Sequence, residues 1–319
     1  MPSGRDRPTG TLATMLRYLS RRLVLSVVVL FGLSLLVFGM IALSGDPVRL
    51  LLPPDATAEQ VAQFRQRLGL DDPLPVQYLR FLGQAVRLDF GQSIALRQDA
   101  LELVLARLPA TLSLAGLAVA FAVLIGVPLG VLTALRRNTM LDTLITSLAV
   151  VGQSTPIFWV GVMSILLFAV ELRWLPSSGV GTWRHYVLPT FTLTLFLLGG
   201  LVRVTRTSML EVLSKAYVRT ATAKGQVRRL VVWRHAFRNA AIPIVTQIAL
   251  QFRFVIGGSV ITETIFAWPG LGRLLVRSVY ARDYPVVEAG VFVVALLLIV
   301  INTLVDISYS LLNPKVDLA

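Results

Sequence analysis

The sequence predicts an all-α protein that crosses a membrane with six helices. Hydrophobic residues make up 55% of the 319 residues and charged residues only 15%, well below the roughly 25% that is typical of soluble domains. Several long runs carry no charge, and a bilayer core about 30 Å thick needs about 20 such residues in a helix. The net charge of +13 is concentrated in particular segments between these runs. A polytopic membrane protein with basic loops accounts for all three observations.

Six largely uncharged runs predict the membrane helices. In chain order they are residues 23–43, a span within 108–135, a span within 143–170, 186–202, 239–262 and 289–305. Arg253 interrupts the fifth run. A secretory signal peptide is the alternative for the first run, but the apolar part of such a peptide has about 7–15 residues. Because this run is longer and five others follow it, we expect a retained helix and both termini on one side.

The charges of the connecting segments predict the orientation. Residues 1–22 carry five Arg and one Asp, and residues 203–238 carry nine Lys or Arg and one acid, Glu211. The segment between the first two spans is nearly balanced. Because Lys and Arg are enriched in cytoplasmic loops, we expect both termini in the cytoplasm. The predicted organisation is a cytoplasmic segment 1–22, a first helix 23–43, an external amphipathic segment 44–107, a five-helix core 108–310 and a cytoplasmic tail 311–319.

The external segment is too long to be a simple turn, and its pattern predicts two short amphipathic helices on the outer membrane face. Thr57 and Gln60 have the spacing of a capping box at the start of the first. Two interpretations remain open for this segment. It is either a packed cap without a ligand role or a docking surface for a soluble partner.

Several function classes are excluded by composition. The chain has no cysteine and two histidines, His185 and His235, so we expect no metal centre and no cofactor. The basic residues lie in loops between apolar runs, which argues against nucleic acid as a partner and for membrane lipid. An intramembrane enzyme needs converging catalytic groups, and the two histidines are predicted on opposite sides. A secondary transporter or channel is the competing class, but it predicts buried carboxylates or an inverted repeat, and neither is evident.

The segment 210–243 between the fourth and fifth spans has an unusual composition for a basic loop. Residues 216–224 are rich in small side chains, which let another backbone approach closely, and Gly225 is suited to end a short helix in the left-handed conformation. Residues 227–236 mix apolar and basic side chains, as in a helix that lies on a membrane surface. Pro243 then falls near the start of the fifth span, where proline is tolerated.

This segment closely resembles the cytoplasmic coupling loop of ABC-importer permeases, in the branch that imports dipeptides, oligopeptides, nickel and glutathione. Arg219 stands where the general loop motif has a glutamate. Other segments resemble the same family in the same order: 69–78, 89–93, 108–112, 156–159, 175–179, 263–272, 283–285, 302–309 and 313–315. The loop residues that carry the resemblance are Tyr217, Arg219, Thr220, Ala221, Ala223, Lys224, Gly225, Arg234 and His235.

The resemblance implies a peptide permease of the bacterial or archaeal cytoplasmic membrane, with nickel or glutathione as alternative substrates. The sequence has no phosphate-binding Gly-x-x-x-x-Gly-Lys-Ser/Thr loop, so we expect the chain not to hydrolyse ATP. The implied partners are a second homologous permease subunit, two ATPase subunits (or one fused) that use ATP and Mg²⁺, and an extracytoplasmic substrate-binding protein.

Some residues within the spans are candidates for the substrate path. Arg253 is costly in lipid and is expected to face the bundle interior or water, where it lines the path or contacts the partner permease. Asn302 lies four residues before Asp306 on one helix face. The main alternative to a role in the substrate path is that these two side chains bridge to another helix. Pro156, expected to kink or hinge the third span, and Phe158 complete this candidate set.

Overall fold

The computed structural model describes residues 11–43, 57–68 and 71–312, and these residues form eleven helices. The pairing of Gln92 with Asp99 is an isolated β-bridge. The helices are α1 Thr11–Leu43, α2 Ala58–Leu68, α3 Leu74–Val86, α4 Ala100–Leu135, α5 Met140–Ser154, α6 Ile157–Glu171, α7 Arg184–Leu213, α8 Ala216–Ala223, α9 Arg228–Ile265, α10 Leu271–Tyr280 and α11 Tyr284–Leu312.

Each of the six apolar runs lies within a helix or helix pair of the structure. The helices α4, α7 and α9, together with the part Tyr284–Val305 of α11, are long and apolar enough to cross a membrane. The pair α5 and α6 gives a fifth span if it is counted as one. The apolar part of α1, Val24–Met40, is shorter than these spans. The predicted all-α membrane fold is therefore confirmed, with the third span as a bent pair.

The third span is broken between α5 and α6, whose axes differ by 98°. Thr155 is extended (φ −75°, ψ 129°), because a residue before proline is disfavoured in the helical region. Pro156 then precedes the first residue of α6, which ends in the π-helical stretch Ile165–Glu171. By contrast, α4 continues without a break through Pro128. The bend expected at Pro156 is present, and it is much larger than an ordinary proline kink.

The chain divides into two compact units. The first contains Met1–Val104 and Ser278–Ala319. Within it α1 packs against α11, and α3 packs against α1 through Tyr78, whose ring is 5.3 Å from that of Phe38. The capping box predicted before α2 is present, since the Thr57 N–H donates to Gln60 Oε1 (2.9 Å) and the Gln60 N–H to Thr57 Oγ1 (3.3 Å).

A buried carboxylate anchors the loop after α3 in this first unit. Asp283 is 2% exposed. It accepts hydrogen bonds from the Ser93 hydroxyl, from the Ile94 N–H (2.9 Å) and from the Ala95 N–H (3.3 Å). Because these bonds satisfy both carboxylate oxygens, they hold the loop to the start of α11.

The second unit, Leu105–Arg277, is built around α7. This helix packs against α5, α6 and α9. Its leucines Leu193, Leu197 and Leu201 recur every four residues and are almost completely buried, which is the spacing of one helix face. The last residues of α7, 210–213, are the beginning of the predicted coupling segment 210–243.

Candidate functional site

The short helix α8 lies between the ends of two long helices, α7 and α9. It presents Val218 and Ala221 inward, where both are buried, and contacts the first part of α9. Just before it, the Lys215 ammonium lies 3.0 Å from the Glu211 carboxylate. Because these two inward side chains fix one face, the opposite face of α8 is presented outward.

Gly225 ends α8 in the conformation that the sequence predicts. Its φ is +75°, in the left-handed region, where an L-residue with a Cβ is disfavoured. The Lys224 N–H donates to the Thr220 carbonyl oxygen (3.0 Å) and the Gly225 N–H to the Thr222 carbonyl oxygen (3.0 Å). A Cβ built on Gly225 meets nothing within 4 Å in this chain. Its conformation, and not packing inside the chain, is therefore what requires glycine.

Most of the predicted loop residues are exposed together on this surface. Beside α8 lies an open groove of about 390 Å³ that is lined in part by Arg219 and Ala223. Ala221 is buried and His235 is half-buried. The exposed members of the predicted set are Tyr217, Arg219, Thr220, Ala223, Lys224, Gly225 and Arg234. We call the exposed residues from Tyr217 to Gly225, which belong to α8 and the two residues after it, the loop surface.

The residues Arg234 and His235 lie in a different element from α8. The stretch Val231–Phe237 is π-helical and continuous with the rest of α9, so the helix expected on the membrane surface over 227–236 is the beginning of α9. No helix-breaking residue separates it from the fifth run. The ring of Trp233 packs on that of Phe237 at 5.1 Å. The structure brings this stretch into contact with α8.

The loop surface is positively charged, because it contains Arg219 and Lys224 and no acidic residue. Of the basic residues in 203–238, Lys215 is paired with Glu211, and Arg206 is paired with Asp142 (Nε to Oδ1, 2.8 Å). Glu211 is the segment's single acid. The loop surface therefore suits a partner surface that carries acidic side chains.

Arg253 lies on an exposed stripe of α9. Leu250, Phe254, Gly257 and Ile261 are exposed at intervals of three or four residues, which is the spacing of one helix face, and Arg253 belongs to the same face. An arginine on a face within a membrane span is costly in lipid. The stripe is therefore suited to a protein partner or to a water-filled path.

The other predicted path residues lie in separate places. Pro156 and Phe158 are exposed at the break and the first turn of α6. Asn302 is half-buried in α11, which belongs to the first unit. The side chain of Asp306 lies outside the described residues.

The charge-free runs of the sequence did not predict the buried hydrogen-bond network around the Glu263 carboxylate. Glu263 is 0% exposed and accepts hydrogen bonds from Thr111 Oγ1 (2.7 Å), Ser259 Oγ (3.2 Å) and the Arg273 N–H (2.9 Å). A Cβ at Gly270 would lie 2.4 Å from this carboxylate. Glu263 thus caps the start of α10, whose first N–H groups have no partner inside the helix. Gly270 and Gly272 follow Glu263 in the sequence and pack closely against its carboxylate. These two glycines are the feature of the sequence that could have indicated a buried Glu263.

A second set that was missed consists of amides in the spans. Gln153, Gln247 and Gln251 surround Gly199 and Gly200 of α7. Uncharged amides do not interrupt a run defined by the absence of charge, so the apolar runs gave no indication of them.

The sequence matches two family models. Residues 126–318 match the model described as "Binding-protein-dependent transport system inner membrane component". Residues 15–115 match the N-terminal model of the same kind of membrane component. Together the two matches extend over most of the chain.

Curated relatives match over nearly their whole length. The glutathione transport system permease protein GsiC of Salmonella paratyphi A is 44% identical over 303 residues, which are 95% of this chain and 99% of the relative. The protein of the same name from Escherichia coli strain K12 is 43% identical over 303 residues, with the same coverage.

Solved structures share the fold at low sequence identity. A chain from the inward-facing MetNI methionine ABC transporter, in its native crystal form, gives a TM-score of 0.56 at 19% identity and covers 66% of this chain and 96% of its own. A chain from an amino acid ABC transporter with histidines gives 0.53 at 16% identity, covering 65% and 93%. At these identities the likeness concerns the fold alone.

Proposed function

Because this chain belongs to the family of binding-protein-dependent transport system inner membrane components, we propose that it carries small peptides, glutathione among them, across the inner membrane. The chain is a multi-pass permease subunit of an ABC importer. The peptide substrate follows from the resemblance to the peptide branch, and glutathione from the names of its relatives. Nickel is the alternative cargo in the same machinery.

In this proposal the chain is a non-catalytic subunit that holds no cofactor of its own. Its sequence has no phosphate-binding loop, so ATP and Mg²⁺ are used by separate ATPase subunits, either two chains or one fused chain. The energy for transport then reaches the spans through a mechanical contact.

The observation that carries the proposal is the loop surface. It is a short helix between two spans, positively charged and exposed, and it ends at a left-handed Gly225. The charge of its segment supports a cytoplasmic position. We assign the contact with the ATPase to this surface, with Arg234 and His235 supporting it from α9. When the ATPases close on ATP, movement of α8 would rock α7 and α9 as rigid bodies.

A second permease subunit completes the translocation path in this proposal. The exposed stripe of α9 carries Arg253 within a membrane span, which disfavours contact with lipid. We assign this stripe to the face shared with the homologous subunit, so that Arg253 lines the path or contacts the partner. Pro156, Phe158 and Asn302 are the other proposed path residues. A substrate-binding protein delivers the peptide to the external segment, and both termini lie in the cytoplasm.

Reconstitution tests this proposal directly. The complete importer is placed in proteoliposomes with ATP supplied to the ATPase subunits, and uptake of radiolabelled glutathione and alanyl-alanine is measured. The expected result is uptake that requires ATP, the binding protein and this chain together. Uptake by this chain alone, or equal uptake without ATP, would contradict the proposal.

A further inference from the structure

Three glutamine side chains meet at one point of α7. A Cβ built on Gly199 would lie 2.4 Å from the Ala149 carbonyl oxygen and 2.5 Å from the Gln153 Cβ, so α5 crosses α7 at this glycine. A Cβ on Gly200 would lie 3.0 Å from the amide nitrogens of both Gln247 and Gln251. The glycine pair therefore lets α5 and α9 approach α7 closely, and it brings amides from both helices together.

This cluster lies beside the last turn of α5. Gln153 is 11 residues beyond Asp142, or about 16 Å along α5. The break between α5 and α6 follows two residues later, at Thr155 and Pro156. In secondary transporters, which are a different class, substrates bind near the bilayer midplane beside helices that are interrupted there. By analogy with those proteins, the break beside Gln153 is a candidate position for a substrate contact.

Arg203 lies at the exposed edge of the same cluster. Its Nη2 donates to Gln153 Oε1 at 3.4 Å, and Arg203 is exposed. In the part of the chain that the structure describes, no carboxylate forms an ion pair with it. Arg206, one turn further on, differs because it is held by Asp142. Arg203 directly follows the fourth apolar run, 186–202, where contact of a charge with lipid is still costly, so we expect it to face water or protein in the assembled importer.

Gln251 supplies an acceptor beneath this surface. It is 8% exposed, and its Nε2 donates to the Leu197 carbonyl oxygen at 2.7 Å. Its Oε1 is buried and has no hydrogen-bond partner among the described residues. A buried amide oxygen normally has a donor, so this atom is suited to accept a hydrogen bond from a group that enters the cluster.

We propose that Arg203, with the amides of Gln153, Gln247 and Gln251, forms a subsite in the path that takes the carboxylate of a small peptide. The guanidinium pairs with the carboxylate, for which its planar fork of donors is suited. The amides exchange hydrogen bonds with the peptide groups. This inference rests on the proposed function, because it names a contact for the substrate of that importer. Amides that serve only to join the helices are the competing explanation.

The test is uptake by the reconstituted importer with four versions of this chain: unchanged, Arg203→Gln, Arg203→Lys and Arg184→Gln. The last is the matched control, because it removes a charge from the same helix at the first residue of α7. The probes are alanyl-alanine and glutathione, which both carry free carboxylates. Stimulation of ATP hydrolysis by the loaded binding protein is measured on the same samples and reports assembly and coupling.

The subsite predicts that Arg203→Gln lowers uptake about tenfold, the effect of losing one charge-assisted hydrogen bond. Arg203→Lys keeps the charge and stays within about threefold, Arg184→Gln is unchanged, and ATPase stimulation is preserved in all variants. Unchanged uptake with Arg203→Gln would overturn the subsite, as would equal losses with Gln and Lys or a parallel loss of ATPase stimulation. If the unchanged importer takes up neither probe, the proposed function fails, and the subsite fails with it.

Discussion

Gly225 is the residue at which backbone conformation and the proposed coupling contact coincide. Its φ of +75° ends α8, and a residue with a Cβ in that region costs roughly 1–2 kcal/mol. The surrounding space in this chain is open, so the cost of a side chain arises from φ and from any partner that approaches. A substitution should consequently change coupling more than it changes the folding of the spans.

We expect Gly225→Val to reduce both transport and the stimulation of ATP hydrolysis by at least about tenfold. The physical reason is that a β-branched side chain disfavours the left-handed turn and occupies the contact surface. The measurement is ATPase activity of the reconstituted importer with and without loaded binding protein. The matched control is Gly116→Val, since Gly116 has no positive φ and a Cβ there also meets nothing within 4 Å. Full activity of Gly225→Val would contradict the site assignment.

An ion pair between the half-buried Arg206 and the buried Asp142 fixes the C-terminal part of α7 to the start of α5. Arg206 forms a bidentate contact with Asp142, with both distances 2.8 Å, and the Asn138 N–H donates to the same carboxylate at 3.0 Å. Asp142 is 4% exposed. Because one charge left alone in such a place is strongly destabilising, we expect this pair to contribute to the stability of the second unit.

Arg206→Met is expected to destabilise the protein by about 3 kcal/mol, because it leaves the Asp142 carboxylate buried without its partner. Lys215→Met removes the exposed pair with Glu211 and should cost about 1 kcal/mol or less. Thermal unfolding of the detergent-solubilised protein distinguishes the two. Equal melting temperatures for both variants would show that the Asp142 pair contributes no more than a surface contact.

At the scale of elements, the division of the third span into α5 and α6 is the main departure from a bundle of straight helices. The extended Thr155 and the following Pro156 interrupt the helix where Gln153 meets α7. An apolar run of 28 residues is longer than one straight span needs. Two helices joined at a bend account for the extra length. The non-helical backbone at Thr155 and Pro156 lies beside the proposed subsite.

Distance measurements between spin labels test the bend, and the absence of native cysteine makes labelling straightforward. Cysteines replace Leu144 in α5 and Leu166 in α6, which are both exposed. A bend of 98° between the helices predicts a Cα separation of about 22 Å, whereas one straight helix would give about 33 Å. Double electron–electron resonance on the membrane-embedded importer measures this separation, and a single population near the longer distance would contradict the structure.

At the scale of the whole molecule, the sequence predicts what depends on hydrophobicity and charge. The six runs correspond to helices because apolar length and loop charge govern insertion, and Gly225 was predictable because left-handed helix ends favour glycine. The partners of Glu263 and the meeting of the three glutamines could not be predicted in this way. Thr111 and Glu263 are 152 residues apart in the chain, and only the packing of α4, α9 and α10 brings such residues together.

Site-specific cross-linking tests whether the loop surface contacts an ATPase subunit, as it must if it transmits work from that subunit. A single cysteine replaces the exposed Ala223, and a reagent that joins a thiol to a nearby lysine is added to everted membrane vesicles that contain the whole importer. A cysteine at Leu79, exposed on α3, is the control. The assignment of the ATPase contact to the loop surface predicts a covalent adduct with the ATPase subunit from position 223 and none from position 79. An adduct from position 79, or none from 223 in an importer that still transports, would contradict it.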